Sequence, residues 1–256
     1  MSRTFFDRYP QLETLRALAP DALIERELGS RADEFERDAE RARKLIPTVN
    51  LNRVFPAELE RGAIRLENFL GHWGNISIEE LCKICLIVRF LRPRNILELG
   101  TYNGMTTLQM ALNAPAETTV YTLDLPEDAD TEYELTEIDR LVSAHFKERF
   151  DTSTGSYFKG RDDVNVVQLW ADTAKFDYTS IDGPLDLIFI DAAHDYENKR
   201  IDSENAFRLL APGGVVMWHN YNDVVCPDVT KYLADIASER SLFHLRNTML
   251  AVYRDQ

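Results

Sequence analysis

The clearest indication of the fold is the stretch "NILELGTYNGMTTLQMAL", from Asn95 to Leu112. A short apolar run carries a carboxylate at Glu98, the glycines Gly100 and Gly104 follow, and a helical pattern begins after them. Glycine tolerates a positive φ and allows other groups to approach the backbone closely. A buried strand that ends in such a turn and opens a helix is typical of a ligand-binding crossover in a parallel α/β sheet.

Short apolar runs alternate with helical patterns beyond this stretch. Several of the runs are apolar on both faces, as parallel strands covered by helices are. The alternation predicts a doubly wound, mostly parallel, seven-stranded α/β sheet. A final hairpin around Asn247 would add an antiparallel edge. The predicted strands before that hairpin are 95–99, 119–125, 164–170, 185–191 and 214–220.

Residues 1–92 have a mainly helical pattern and predict an N-terminal cap or oligomerisation region ahead of a ligand-binding domain at 93–256. Ser77 and Glu80 form a capping-box pattern for one helix, and "PAELERGAIRLENFL", starting at Pro56, favours another. The charged helix at 22–46 carries a thin apolar stripe. Because such a stripe often needs a partner to bury it, we expect a homodimer or higher oligomer.

The composition excludes several classes of partner. The 256 residues include 43 acidic and 29 basic side chains, a net charge of -14, which argues against a nucleic-acid partner. No apolar run reaches the roughly 18–20 residues of a membrane span, so no membrane partner is expected. The first residues lack the apolar core of a signal peptide, which favours a cytoplasmic protein.

The three cysteines include a C-x-x-C pair, Cys82 and Cys85, on a predicted helix. A zinc site needs two more ligands, and no second pair stands at a suitable spacing. Buried core thiols are therefore the expected role of this pair.

The acidic side chains indicate the charge of the ligand. A carboxylate at Glu98 would repel a phosphate but suits an ammonium group. Asp124 ends the next predicted strand, where a carboxylate can accept hydrogen bonds from both hydroxyls of a ribose. The expected ligand is a nucleoside that carries a cationic amino group and no phosphate.

These residues resemble the class I S-adenosylmethionine-dependent methyltransferases. The first motif of that family, an acidic residue followed by two glycines four apart, is matched here, and "WADTA" resembles the family's adenine-contacting turn. The resemblance covers roughly residues 77–253 and implies S-adenosylmethionine as the cofactor. The implied cofactor-binding residues are Glu98, Gly100, Thr101, Tyr102, Gly104, Thr106, Asp124 and Asp172.

The segment "LIFIDAAHDYENKRIDSENAFRLLAPGGVVMWHNYND" resembles a narrower group, the small-molecule O-methyltransferases that include macrocin-type sugar enzymes. In those relatives an acidic pair binds Mg²⁺ together with the aspartate that matches Asp191, and catechol-type enzymes use Asp, Asp and Asn. Here His219 and Asn220 replace the pair. The resemblance implies Mg²⁺ or another divalent cation at Asp191, His219 and Asn220, but this less acidic set leaves open that no metal binds.

His194 is the expected general base, with Asp191 as the second catalytic residue. Imidazole titrates near neutral pH, and removal of a proton by a positioned base typically contributes about 10²–10⁴-fold in rate. A cation at Asp191 would also lower the pKa of the acceptor hydroxyl. The alternative is that His194 forms a structural hydrogen bond or caps the next helix.

The expected function is S-adenosylmethionine-dependent methyl transfer to a hydroxyl of a small molecule, such as a natural product or sugar-like acceptor. Three alternatives remain: methyl transfer to nitrogen, to carbon or to a protein side chain, a catalytically decayed nucleoside-binding protein, and a nicotinamide-dependent oxidoreductase. Glu98 and the missing third glycine argue against the last. The acceptor itself carries no readable motif, and we expect the N-terminal helices and the insert at 126–160 to select it. Trp170 or Trp218 could stack on adenine or substrate.

Overall fold

The computed structural model describes residues 5–13, 15–17, 19–69, 75–126 and 153–255. Within these ranges the core is an eight-stranded sheet in the order β1-β7-β8-β6-β5-β2-β3-β4. Only β8 runs antiparallel to its neighbours. The strands are β1 (Thr48–Val49), β2 (Asn95–Leu99), β3 (Thr119–Asp124), β4 (Val166–Trp170), β5 (Leu185–Ile190), β6 (Leu210–Trp218), β7 (Leu242–Leu245) and β8 (Ala251–Arg254).

Helices cover both faces of the sheet. One face carries α3 and α4, and the other carries α5 and α6. The α-helices are α1 (Phe5–Arg8), α2 (Asp21–Leu45), α3 (Ile78–Leu91), α4 (Met105–Asn113), α5 (Tyr196–Leu209) and α6 (Pro227–Ile236). Short 3₁₀ helices lie at Pro10–Glu13, Leu15–Ala17, Leu51–Arg53, Ala57–Arg61 and Tyr178–Ser180.

The central strands explain the apolar runs of the sequence. In β2, Leu97 and Leu99 pack on the α5 and α6 side, whereas Ile96 packs on the α3 and α4 side. Strand β5 alternates in the same way, with Ile188 on one side and Phe189 on the other. Each strand thus contributes apolar side chains to two cores, which confirms the predicted doubly wound, mostly parallel sheet.

The sheet has one strand more than predicted. The hairpin around Asn247 forms as predicted from β7 and β8, but β8 inserts between β6 and β7 and is not an edge. The edge on this side is β1, where His244 N donates to Pro47 O at 3.0 Å and Arg246 N donates to Val49 O at 2.9 Å. A strand of two residues is too short to show a period in the sequence, so only tertiary contacts reveal it.

The apolar stripe of α2 is buried inside the chain. Its side chains pack against α6 and the segment 5–19, and ion pairs such as Arg31–Asp228, at 2.6 Å, flank the contact. Because the stripe is covered, it no longer argues for a partner subunit. The homo-oligomer and the division at residue 92 stay predictions.

The prediction of a helix that begins at Pro56 is wrong beyond Arg61. Residues 62–69 are not helical and run alongside α4. Arg65 N donates to Asn113 Oδ1 at 2.8 Å and Glu67 N donates to Gln109 Oε1 at 3.0 Å. These two amides donate back to the carbonyls of the same residues. The side chains of α4 therefore satisfy peptide groups that a helix would have paired internally.

Two further expectations concern cysteines and membranes. All three cysteines lie in the described ranges and none forms a disulfide. Cys85 is fully buried and Cys82 is partly buried on α3, in agreement with the expected core thiols. None of the helices in the described ranges is long and apolar enough to span a membrane.

Candidate active site

The glycine turn after β2 is shaped by the chain's own packing. Gly100 has φ +96°, and a Cβ there would collide with the carbonyl oxygen of Asp191. Gly104 has φ +80°, and a Cβ there would lie 2.5 Å from the ring of Phe158. The first glycine thus lets the end of β2 approach the end of β5, and the second admits the segment 153–160.

Glu98 lies beneath this turn and is 1% exposed. Its Oε2 accepts hydrogen bonds from Thr107 Oγ1 and, at 2.6 Å, from Thr122 Oγ1. Since the Thr122 proton goes to Glu98, the 2.7 Å contact between the hydroxyls of Thr101 and Thr122 has Thr101 as donor. Gln168 Nε2 donates to Thr101 at 3.0 Å. A buried chain of donors from β4, the turn and β3 therefore ends on the carboxylate.

Burial raises the pKa of Glu98 to about 8, and the nearby Asp191 and Asp124 carboxylates add to the rise. The hydrogen bonds from Thr107 and Thr122 oppose it. A cation bound next to Glu98 would favour the ionised form and lower this pKa. Sequence reasoning predicted Glu98 but not the residues that hold it, because their contacts join four separate elements.

Asp124 holds the glycine turn from the end of β3. Its Oδ2 accepts backbone hydrogen bonds from Thr101 N at 3.0 Å and Tyr102 N at 2.8 Å, and its Oδ1 accepts one from Leu125 N at 2.8 Å. Tyr102 itself adopts φ +48° and is 37% exposed. Each carboxylate oxygen can accept more than one hydrogen bond, so this role is compatible with the predicted contact to ribose.

Asp172 follows β4, next to Asp124. The strands are joined here by the bond from Ala171 N to Asp124 O at 3.0 Å. Asp172 Oδ1 accepts Ala174 N at 2.9 Å, and Lys175 Nζ lies 3.5 Å from Oδ2. Thr106, the remaining predicted cofactor residue, is half-buried in the first turn of α4. The predicted cofactor residues therefore lie at the ends of β2, β3 and β4.

The two predicted stacking tryptophans differ in exposure. Trp218 is fully buried in the core, where its Nε1 donates to Ser203 Oγ at 2.9 Å. Trp170 is 48% exposed at the end of β4. It lines an open pocket of about 430 Å³ together with Pro126, Ser153, Thr154 and Lys159. Only Trp170 is placed to meet a ligand.

His219 lies between two carboxylates at the end of β6. Its Nδ1 is 3.1 Å from Asp191 Oδ1, and its Nε2 is 3.6 Å from Glu80 Oε1, an ion-pair distance rather than a hydrogen bond. Glu80 also accepts Ser77 N at 2.8 Å and Met249 N at 2.6 Å. The predicted capping box of α3 is therefore confirmed, but sequence reasoning missed the second role of Glu80 because its partners lie far along the chain.

The charges in this cluster support one another. Burial alone would lower the pKa of His219, but the facing Asp191 and Glu80 carboxylates raise it to about 10. Burial would raise the pKa of Glu80, whereas His219 and two backbone N–H groups bring it to about 2. The pKa of Asp191 is likewise lowered against the effect of burial, mainly by the charge of His219. The cluster is thus two carboxylates around one imidazolium.

His194 lies at the rim of the same cluster, with 42% of its side chain exposed. Its Nε2 is 2.9 Å from Asn220 Oδ1 and 3.9 Å from Asp191 Oδ1. Asn220 Nδ2 donates to Asp223 Oδ2 at 3.0 Å, which orients the amide so that its oxygen faces His194. Because that oxygen is an acceptor, Nε2 carries the proton in neutral His194 and Nδ1 is the basic nitrogen.

The predicted metal ligands Asp191, His219 and Asn220 do lie together, but their contacts do not fit a divalent cation. Both ring nitrogens of His219 face carboxylate oxygens, and the amide of Asn220 is hydrogen-bonded on both sides. Among the residues that the structure describes, no three His, Cys, Asp or Glu side chains are arranged to hold a metal ion. The metal site stays a prediction without support from the geometry.

The segment 153–160 is the described end of the predicted insert. Gly155 N donates to Tyr102 O at 2.9 Å and Tyr157 N donates to Asn103 O at 3.1 Å, so the segment lies over the glycine turn. Residues 127–152 of the insert, with His145, lie outside the described residues, and so does His72. His244 bonds to Thr48 and Thr248 near the sheet edge, a structural role.

Comparisons with known proteins agree with this architecture. Residues 97–221 match a protein family described as a methyltransferase domain. Catechol O-methyltransferase B of Danio rerio is 25% identical over 231 residues, which is 89% of this chain and 78% of that protein. A Staphylococcus aureus protein assigned as a caffeoyl-CoA O-methyltransferase has a TM-score of 0.51 at 18% identity, over 80% of this chain and 91% of that chain.

An O-methyltransferase from Bacillus cereus, solved in complex with SAH, has a TM-score of 0.46 at 21% identity over 72% of this chain and 84% of that chain. The domain match spans β2 to the residues after β6, the part of the sheet that carries the glycine turn and the His219 cluster. Residues 97–221 therefore form a methyltransferase domain, and the comparisons support a class I S-adenosylmethionine-dependent methyltransferase.

Proposed function

We propose that this protein transfers a methyl group from S-adenosylmethionine to a hydroxyl of a small molecule. The observation that carries the proposal is the order of polar side chains along one edge of the sheet. Glu98 and Asp124 belong to β2 and β3, Asp172 follows the next strand, β4, and His194 follows β5 on the other side of β2. This order suits a donor whose amino acid, ribose and adenine lie side by side.

The donor-binding roles follow from charge and exposure. Glu98 supplies a negative charge for the ammonium group beneath the glycine turn. Asp124 holds that turn and accepts from the ribose, while Asp172 takes the adenine end. Trp170, exposed beside the 430 Å³ pocket, offers a face on which adenine stacks. Gly100, Thr101, Tyr102, Gly104 and Thr106 shape the turn around the methionine part.

The chemistry supplied by bound S-adenosylmethionine is an activated methyl group on a positively charged sulfur. The protein's own tasks are to align the acceptor oxygen with that methyl group and to remove its proton. Alignment of two reactants can contribute about 7–11 kcal/mol to lowering a barrier. His194 removes the proton through Nδ1, since Asn220 keeps the other nitrogen protonated. Asp191, 3.9 Å from the ring, stabilises the imidazolium that forms.

A hydroxyl acceptor is favoured over an amine for a chemical reason. A neutral amine already has a lone pair and attacks before it loses a proton, whereas a hydroxyl becomes a good nucleophile only as its proton leaves. A histidine at the reacting end of the site is therefore most useful for oxygen. The Danio rerio relative is named as a catechol O-methyltransferase, which supports the same class of acceptor.

The N-terminal region is proposed to close the acceptor side. The segment 5–19 and α2 pack on Val224, which lies in the loop after β6 close to His219 and Asn220. Side chains from this region and from the insert at 126–160 would then select the acceptor. The protein is proposed to be a cytoplasmic enzyme that acts on small molecules as a homo-oligomer, a dimer or higher.

Calorimetry with S-adenosylhomocysteine, followed by a turnover screen, tests the proposal. The screen would use pairs of acceptors that differ only in a hydroxyl or an amine, such as matched phenols and anilines, with release of S-adenosylhomocysteine as the readout. We expect binding and turnover with hydroxyl acceptors. Turnover only with the amines would favour N-methylation. Binding without turnover on any acceptor would favour the decayed nucleoside-binding protein.

A further inference from the structure

His219 and Asn220 occupy the positions at which the sugar-modifying enzymes that this chain resembles carry a Mg²⁺-binding acidic pair. We propose that the His219 ring takes the place of a divalent cation between Asp191 and Glu80, so that methyl transfer by this chain needs no bound metal. The inference rests on the proposed methyl transfer but is tested by a binding measurement that does not depend on it.

The first argument is the direction of the ring nitrogens. A histidine ligates a metal through a deprotonated nitrogen that points its lone pair at the ion. In His219, Nδ1 lies 3.1 Å from a carboxylate oxygen of Asp191, and Nε2 lies 3.6 Å from one of Glu80. Because Nδ1 lies within hydrogen-bonding distance of an acceptor, it carries a proton and is not available as a ligand, and Nε2 lies on the Glu80 side of the ring, away from Asp191.

The second argument is burial and charge balance. His219 is 8% exposed and Glu80 is 1% exposed. Removing one partner of a buried ion pair leaves an uncompensated charge and is strongly destabilising. A divalent cation at Asp191 would have to displace the His219 ring from its position, and Glu80 would then be left buried without a counter-charge.

The third argument concerns Asn220 and Glu80. The amide of Asn220 bonds to His194 on one side and to Asp223 on the other, so ligation of a metal would break the bond that orients His194. Glu80 is fixed by backbone donors from Ser77 and Met249. Glu80 is thus a positioning residue, which holds the ring of His219 against Asp191 and acts on the chemistry only through it.

A Mn²⁺ titration followed by electron paramagnetic resonance tests this proposal. Mn²⁺ prefers oxygen ligands in the same way as Mg²⁺ and reports its own binding. For the wild-type protein we expect no site-specific binding up to about 1 mM, the weak end of oxygen-ligand cation sites. His219→Asp would restore an acidic set beside Asp191 and should bind Mn²⁺. Asn222→Asp, which adds the same carboxylate at an exposed position nearby, is the matched control and should not.

Turnover of the wild type after exhaustive chelation completes the experiment. We expect the rate to stay within about twofold, well below the 10²–10⁴-fold that a proton-transfer group contributes. Submillimolar Mn²⁺ binding that disappears in Asp191→Asn would overturn the proposal, and so would loss of turnover on chelation that Mg²⁺ restores. If His219→Asp does not fold, the wild-type measurements still decide. Failure of the methyl transfer itself would appear as no turnover before chelation, whereas the binding result would be unaffected.

Discussion

His194 Nε2 lies 2.9 Å from Asn220 Oδ1, and the amide that provides this oxygen is oriented by its second bond to Asp223. The relationship assigns the proton of neutral His194 to Nε2 and the basic lone pair to Nδ1. The pair follows two different strands, β5 and β6, which are adjacent in the sheet. A base held in this way is defined by the fold rather than by its sequence neighbours.

The replacement His194→Ala should therefore lower kcat by about 10²–10⁴-fold, since it removes the proton acceptor. The affinity for S-adenosylhomocysteine should stay nearly unchanged, because the donor-binding residues belong to β2, β3 and β4. Steady-state turnover with the best hydroxyl acceptor and calorimetry with the product measure the two quantities. His244→Ala is a suitable control, because His244 bonds to Thr48 and Thr248 at the far edge of the sheet. Equal turnover in His194→Ala would remove His194 from the mechanism.

The sheet shows which parts of the fold the sequence specifies locally. Strands β2 and β5 pack apolar side chains on both faces, so their runs identified them within one residue of the observed ends. The sequence pattern of residues 62–69 predicted a helix that does not form. The side-chain amides of Gln109 and Asn113 instead pair with the peptide groups of this segment. Those residues lie on α4, and no local rule connects them to Arg65 or Glu67.

The candidate site divides in the same way. Glu98 and Asp124 were predicted because they end strands at a spacing that has a physical meaning. Glu80 was seen only as a helix cap, since its contacts with His219 and Met249 cross most of the chain. The donor chain from Gln168 to Glu98 was not foreseen for the same reason.

Gly100→Ala should destabilise the protein markedly. The residue has φ +96°, and its Cβ would collide with the carbonyl of Asp191, so the change adds backbone strain of about 1–3 kcal/mol before any clash is counted. Urea denaturation would measure the loss. Gly29→Ala is the matched control, because Gly29 lies inside α2 with open space around its Cβ position, and alanine there should stabilise by about 0.5–1 kcal/mol. Equal stability of Gly100→Ala and wild type would contradict the tight contact between β2 and β5.

Trp170→Ala should weaken binding of S-adenosylhomocysteine by about 1–3 kcal/mol, the usual contribution of an aromatic ring stacked on a base. The free energy of unfolding should change little, because the ring is 48% exposed. Trp218→Ala should give the opposite pattern, because removal of this buried side chain should lower the free energy of unfolding by about 3–5 kcal/mol. Calorimetry and urea denaturation would be compared for both variants. Unchanged affinity in Trp170→Ala would place adenine away from the pocket beside β4.

Glu98→Gln should change how stability depends on pH. Burial raises the pKa of Glu98 to about 8 from an ordinary value of 4.5, so between these values the folded state holds a proton that the unfolded chain has lost. The free energy of unfolding of the wild type should fall as the pH rises through this window, with a limiting slope of about 1.4 kcal/mol per pH unit for one group. Glutamine removes this contribution. Denaturation at about pH 5 and about pH 8 should therefore show that the free energy of unfolding of the variant, relative to the wild type, is higher at about pH 8. An equal difference between the two proteins at both pH values would show that Glu98 is ionised throughout.

The same variant should bind the donor less well. Glutamine keeps an oxygen for Thr107 and Thr122 but loses the charge that faces the ammonium group, and a hydrogen bond to a charged group contributes about 1.5–3 kcal/mol. Calorimetry of S-adenosylhomocysteine near pH 7 would show a loss of this size. In the wild type, binding should also release a proton. The observed binding enthalpy should then depend on the ionisation enthalpy of the buffer. Full affinity and no proton release would separate Glu98 from the ligand.

Lys199 and Asp202 are two further buried ionisable side chains on α5. Both side chains are 0% exposed, and Lys199 Nζ and both carboxylate oxygens of Asp202 lack a hydrogen-bond partner within the part of the chain that the structure describes. Burial lowers the pKa of Lys199 and raises that of Asp202 to about 6. Each shift favours a neutral side chain, which indicates that the pair costs stability rather than adding to it.

Lys199→Met should thus destabilise the protein at neutral pH, because the charge of Lys199 lowers the pKa of Asp202 and its loss leaves the buried carboxylate without that support. The loss should shrink as the pH falls toward about 6, because Asp202 without the lysine takes up its proton at a higher pH than in the wild type. The double variant Lys199→Met, Asp202→Leu removes both charges, and it should be as stable as the wild type or more stable by about 1–4 kcal/mol. A double-mutant cycle by urea denaturation at two pH values measures all three effects. Additive losses that do not change with pH would show that the two side chains do not interact, and that each is held by contacts of its own.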